Sequence, residues 1–213
     1  MLNRIKNLFR KTEDKKPYTI DFDSIFDSLT DNPITICAGA DLSSMHDVML
    51  KNINLLREEI KEECGFVLPL TTIVDDFSIQ ENEIQIFIHN ELIEQIYVIP
   101  TETEVVNELH ETLKTVIYNN IDKLFSNELA EKYVNTVQKS NNFLIWNLTN
   151  ILSIVDIKTI LSEILMKGKS INNINYIFEK MGEYVLAEGD YMHVGKKRNP
   201  HIISQAIAKY LYK

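Results

Sequence analysis

Residues Leu161 to Glu179 read LSEILMKGKSINNINYIFE, which encodes a helix, a tight corner and a second helix. Leu161, Ile164 and Leu165 keep the helical period and run into Gly168, the residue type that most readily takes the left-handed conformation closing a helix. Two residues later Ser170 offers an N-cap oxygen, and Ile171, Ile174, Ile177 and Phe178 restart the period. The stretch holds no catalytic side chain and points to a protein that works by packing and docking.

Everything after Pro100 reads as helix. Thr101-x-x-Glu104 is a capping box, and Val105, Val106, Leu109, Leu113, Val116 and Ile117 form the stripe of the helix it opens. Ser126 or Asn127 starts a second helix, with Leu129, Tyr133, Val134 and Val137, and Phe143 to Leu152 is strongly apolar around Trp146. Asp156 is expected to cap the helix ending at Gly168, and Ser170 the next. Asn199-Pro200 places an N-cap and a first-turn proline before a last amphipathic helix carrying Ile202, Ile203, Ala206, Ile207, Tyr210 and Leu211. Residues 101–213 are therefore expected to form an all-helical bundle of about six helices.

Residues 17–100 read differently. Phe22, Ile25, Phe26 and Leu29 suggest a short helix, and Ile34 to Ala38 a β-branched strand. A long helix follows from Ser44, with Val48, Met49, Ile53, Leu56 and Ile60 at helical spacing and Gly65 as its stop. Phe66-Val67-Leu68-Pro69 is an extended, buried connection, because the residue before a proline avoids the α region. Thr72 to Val74 is a strand, Glu83 to His89 alternates strictly, and a turn near Asn90-Glu91 leads to a partner strand from Ile93 to Ile99. The fold class is α+β: a small α/β domain of about four strands and one long helix, followed by the bundle.

With 213 residues, of which 45% are hydrophobic, the chain can bury a real core. Its net charge of −9 argues against nucleic-acid binding. The charge is unevenly placed: residues 1–16 hold six basic groups against Glu13 and Asp14, a local net of +4, which leaves about −13 on the rest. Within that basic segment and linker, Leu2, Ile5, Leu8 and Phe9 share a helical face flanked by Arg4, Lys6, Arg10 and Lys11. That pattern suits a short helix on an anionic membrane surface, or a solvated terminus whose apolar residues touch a neighbour. No run approaches the ~20 apolar residues of a membrane span. Cys37 and Cys64 read as reduced, buried thiols, and the expected location is cytoplasmic.

Chemistry finds little support. His46, His89, His110, His193 and His201 have no metal-ligand spacing, and Glu104, Glu108 and Glu111 fall on the solvent face of their helix. The six glycines are isolated, so no phosphate cradle exists. The loop Gly189 to Arg198 is the one unusual connector: its Lys196, Lys197 and Arg198 suit an acidic partner, and Asp190 with His193 leaves a remote hydrolase reading. Catalytic, cofactor and metal sites are all expected to be none.

Three collinear segments resemble the FHIPEP family, the FlhA- and InvA-type export-gate proteins of flagellar and injectisome type III secretion. The first is Leu55-Leu56-Arg57-Glu58-Glu59-Ile60 leading to Glu63-Cys64-Gly65-Phe66-Val67-Leu68-Pro69, then Ile73-Val74-Asp75-Asp76 and the strand Glu83 to His89. This is similar to the family's basic helix, Leu-Gly-Phe-x-x-Pro course and Ile-Arg-Asp-Asn turn. The second is Thr103 to Leu113 with Asn127 to Val134, which resembles the family's helix pair. The third is Leu165 to Glu179, similar to Leu-Leu-x-Glu-x-Val-x-Ile-Arg-Asp-x-Arg-x-Ile-Leu-Glu, with Asn172, Asn173 and Asn175 in place of its charged residues.

The resemblance implies the first and third cytoplasmic subdomains of an export gate, without the membrane-spanning half, the subdomain inserted between the positions of His89 and Thr101, or the last subdomain. It implies a non-enzymatic binding or assembly module in protein export, with self-association or secretion components as partners and no small-molecule substrate. A regulator or adaptor that kept the fold and lost secretion is the alternative. Asn172, Asn173, Asn175, Lys196, Lys197 and Arg198 are the expected subunit or partner contacts. Leu2, Arg4, Ile5, Lys6, Leu8, Phe9, Arg10 and Lys11 are the expected membrane-surface contacts.

Overall fold

In the computed structural model the described residues are 21–186 and 199–211. The membrane-surface segment at residues 1–11, the Asp190–His193 pair and the basic run Lys196 to Arg198 lie outside them.

The first half is built on a crossover. After the short helix α1 (Phe22–Asp27), strand β1 (Ile34–Ala38) leads through a tight 3-10 turn, Ala40–Met45, into helix α2 (His46–Cys64) and back to β2 (Thr71–Asp75). The long helix thus begins two residues later than its apolar period suggests, because the 3-10 turn takes up its first residues. β2 runs parallel to β1, in register from Ile34 opposite Thr71 to Ala38 opposite Asp75. Strands β3 (Glu83–Ile88) and β4 (Glu91–Tyr97) complete a sheet of order β2-β1-β3-β4, with both remaining pairings antiparallel. His89 (φ 49°) and Asn90 (φ 65°) form the β3–β4 turn, so it sits one residue earlier than Asn90-Glu91. Two consecutive left-handed residues match the right-handed twist of the strands they join.

The strict alternation of the strands has its physical counterpart in the inner face of the sheet. Ile34, Ile36, Ala38, Ile84, Ile86 and Ile88 are all buried, whereas Thr35, Cys37, Gln85 and Phe87 on the opposite face are only half-buried. Cys37 and Cys64 are free thiols and, contrary to expectation, partly exposed.

From Glu102 onward the described residues are helical: α3 (Glu102–Asn119), α4 (Ile121–Leu124), α5 (Asn127–Ser140), α6 (Asn142–Thr149), α7 (Ile154–Met166), α8 (Ile174–Leu186) and α9 (Pro200–Ala208). α3 lies along α2, α5 packs on α6 and α7, and α9 closes over α7 and α8. One apolar cluster runs from the inner face of the sheet through α2 and α3 to α9.

Two capping assignments change. Ser153, not Asp156, is the N-cap of α7; Asp156 is the third helical residue and returns the bond to the Ser153 amide in a reciprocal capping box. At α8, the Asn173 side chain accepts from the Tyr176 amide, while the Ser170 hydroxyl accepts from the Asn172 amide within the corner. The corner is longer than its apolar period implies, since Ile171 is buried in the turn itself. Gly168 is left-handed (φ 67°), and its amide donates to Leu165 while that of Lys169 donates to Ile164, the paired bonds of a Schellman motif. Among the described residues no helix is long and apolar enough to cross a membrane.

Candidate functional site

The seam between the α/β part and the bundle gathers the polar groups that hold the two together. A helix leaves its last carbonyls without intrahelical partners. At the end of α2, Gly65 turns left-handed (φ 75°) and donates to Lys61. Two of the remaining three carbonyls are met by the α7–α8 corner: the Ile171 amide donates to the Cys64 carbonyl at 2.7 Å, and the Asn172 side chain to the Glu62 carbonyl at 2.9 Å. The approach is so close that a Cβ on Gly65 would lie 2.7 Å from the Asn172 amide nitrogen.

From the other side Tyr133 of α5, fully buried, donates its hydroxyl to the Gly65 carbonyl at 2.5 Å and accepts from the Val67 amide at 3.1 Å. Its ring continues a stack through Phe125 (5.7 Å) to Phe66 (5.8 Å). Burial pushes the Tyr133 phenol far up, so it is a permanent donor.

Beside the seam, α2 and α3 share a charged network. Lys114 bridges Glu59 and Glu63, Tyr118 donates to Glu63 at 2.7 Å, and His110 Nε2 lies 3.0 Å from Glu59. The hydrogen bond from Lys114 holds the Glu59 carboxyl below the usual carboxylate range against partial burial, and the same bond raises Lys114.

Two of the other histidines pair simply: His46 with Asp75 at 3.1 Å, and His89 with the Lys123 carbonyl at 3.1 Å. Glu163, His201, Ser204 and Lys167 cluster between α7 and α9, where the Glu163 carboxylate accepts from the Ser204 hydroxyl and pairs with His201 and Lys167, and Ser204 itself is fully buried. Burial pushes both the Cys37 and Cys64 thiols up, away from nucleophilic thiolate. Among the described residues no group of three or more His, Cys, Asp or Glu is placed to hold a metal.

Of the three asparagines expected at partner contacts, Asn172 lies at the seam while Asn173 and Asn175 bond within the bundle, and each is engaged within this chain. Asn172 and Asn173 bond as described above and remain exposed, and Asn175 accepts from the Ser140 hydroxyl at 3.1 Å. Glu104, Glu108 and Glu111 are exposed. Two surface residues were not legible as such: Phe143 is 63% and Trp146 61% exposed, side by side on α6. No charged residue occurs from Ser140 to Val155, so the segment reads as core and gives no local signal of their exposure.

No protein-family model and no curated protein matches this chain. Solved structures do. The Chlamydia pneumoniae CdsV protein has a TM-score of 0.67 at 10% identity, over 84% of this chain and 70% of that one. The Shigella flexneri MxiA protein has a TM-score of 0.60 at 13% identity, over 84% and 64%. The nonameric SctV-C of EPEC has a TM-score of 0.66 at 15% identity, over 84% and 65%. These neighbours are cytoplasmic domains of type III secretion export-gate proteins, the group to which the three sequence segments pointed. At such identities the likeness is one of fold, and this chain spans about two thirds of their length.

The seam makes Gly65 and Gly168 unequal although both are left-handed. Gly168→Ala carries only the conformational cost, about 1 kcal/mol, because nothing lies within 4 Å of the added methyl. Gly65→Ala adds a clash with Asn172 and should cost at least about 3 kcal/mol in urea unfolding. Glu59 gives a pH signature. A carboxyl depressed in the folded state stabilises at neutral pH, and that contribution is lost as pH falls through its folded value. Glu59→Gln should therefore show a smaller fall in melting temperature than the wild type between about pH 6 and pH 3.

Proposed function

We propose that this chain is a non-enzymatic assembly module of the export-gate type, which associates with copies of itself through the uncharged face of α6. The observation carrying this reading is the shared fold, since one such neighbour is a nonameric assembly and another is a complex of CdsV with CdsO. The face that fits is marked by Phe143 and Trp146. Aromatic side chains, tryptophan above all, supply much of the energy of protein contacts, and a charge-free surface is where two acidic molecules meet at least electrostatic cost. The thiols held protonated and the burial of the Ser204 hydroxyl support a role other than catalysis.

Sedimentation velocity tests this. The wild-type chain should form species larger than the monomer at micromolar concentration, and Trp146→Glu should weaken association at least about tenfold. Its melting temperature should stay nearly unchanged, because the side chain faces solvent. A wild type that remains monomeric at every concentration, or a variant that assembles equally well, overturns the self-association. Undiminished secretion in a strain lacking the protein would favour the adaptor alternative.

The basic apolar sequence from Leu2 to Lys11 supports a second contact, with an anionic membrane surface. Deleting residues 1–11 should abolish pelleting with anionic vesicles. Equal pelleting with and without them would sink that contact.

A further inference from the structure

Asn52 lies in α2 at 4% exposure, facing α3. Its amide nitrogen is 3.3 Å from His110 Nδ1, while its oxygen is buried and has no hydrogen-bond partner. An amide nitrogen only donates, so in this arrangement His110 Nδ1 accepts and Nε2–H donates to Glu59, 3.0 Å away. A buried acceptor left idle is costly, and natural structures keep few of them.

We propose that Asn52 and His110 form a proton-linked joint between α2 and α3, in which the Asn52 amide serves the imidazole in both of its charge states. With neutral His110 the amide nitrogen donates to Nδ1. When His110 gains a proton, Nδ1 becomes a donor, and a half-turn of the amide brings the idle oxygen onto it. The two ends of an amide have nearly the same shape, so the turn needs no repacking. The NH2 then occupies the place the oxygen left, and the charge-assisted bond, roughly twice as strong as a neutral one, offsets that.

Glu59 accepts from Nε2 in either state. The other titratable groups of this network are Lys114, one turn further along α3, with Glu63, Cys64 and Tyr118 beyond it. A joint that accommodates the proton holds α2 against α3 whether or not the ring carries it. This inference is independent of what the chain assembles with.

Asn52→Leu keeps the shape and removes the oxygen. Between about pH 8 and pH 5.5 the variant should lose roughly 2 to 4 °C more in melting temperature than the wild type, the size in a chain of this length of the difference between a hydrogen bond to a charged group and one to a neutral group. Adding His110→Gln should remove the excess. Equal losses in wild type and Asn52→Leu overturn the joint. Should Asn52→Leu fail to fold, NMR of the wild-type chain decides. The Asn52 side-chain amide and His110 ring signals should move with one midpoint. A static amide beside a titrating ring, or a ring that does not titrate in this range, overturns the proposal.

Discussion

The carbonyl end of α2 is the constraint on which the rest of the molecule depends. A nineteen-residue helix leaves its last acceptors without intrahelical partners, and at this end the fold supplies donors to most of them from elsewhere in the chain. Gly65 supplies one bond by turning left-handed, the α7–α8 corner supplies two, and Tyr133 fixes the carbonyl of Gly65 itself. These donors come from three different parts of the chain. The position of α5, the depth of the corner and the course of Phe66 to Leu68 are therefore set together, and a change at any one of them is felt at the others.

Much of this was legible in the residues, because the signals were local. Gly168 marks the end of α7 through its own backbone freedom, and the isoleucines of β3 announce a strand through their alternation. Asn199-Pro200 opens α9 as written, with the Asn199 side chain accepting from the His201 amide. What was misread lies where tertiary structure competes with local pattern. Ser170 and Asn173 both make good N-caps, and only the burial of Ile171 against α2 decides that the helix starts after the second. The apolar stripe of α5 places Tyr133 inside, but nothing near it in sequence announces that its hydroxyl will meet residues 66 and 68 positions away. Phe143 and Trp146 sit in an apolar segment that reads as core, and their exposure follows from which face of α6 meets α5 and α8.

Asn172 shows how a composition argument can mistake a role. Set against a family pattern, an asparagine there reads as a lost charge. In the fold it is a short amide that reaches a backbone carbonyl while its main chain rests against a glycine. The likeness to export-gate domains at 10 to 15% identity is intelligible in these terms. What the fold requires is apolar period, a left-handed stop at two corners and donors for one helix end, and many sequences meet those demands.

The bond from Asn172 to Glu62 spans 110 residues. A ribosome adds about 5 to 20 residues each second, so on the order of 5 to 20 s pass between synthesis of the end of α2 and arrival of its cap. Through that interval the sheet and its crossover helix can form, but the helix must end in water, with its carbonyls hydrated and Phe66 to Leu68 uncovered. During birth of the chain the long helix is thus a frayed, sticky end that a chaperone could hold, and it becomes a fixed strut only when the far corner arrives.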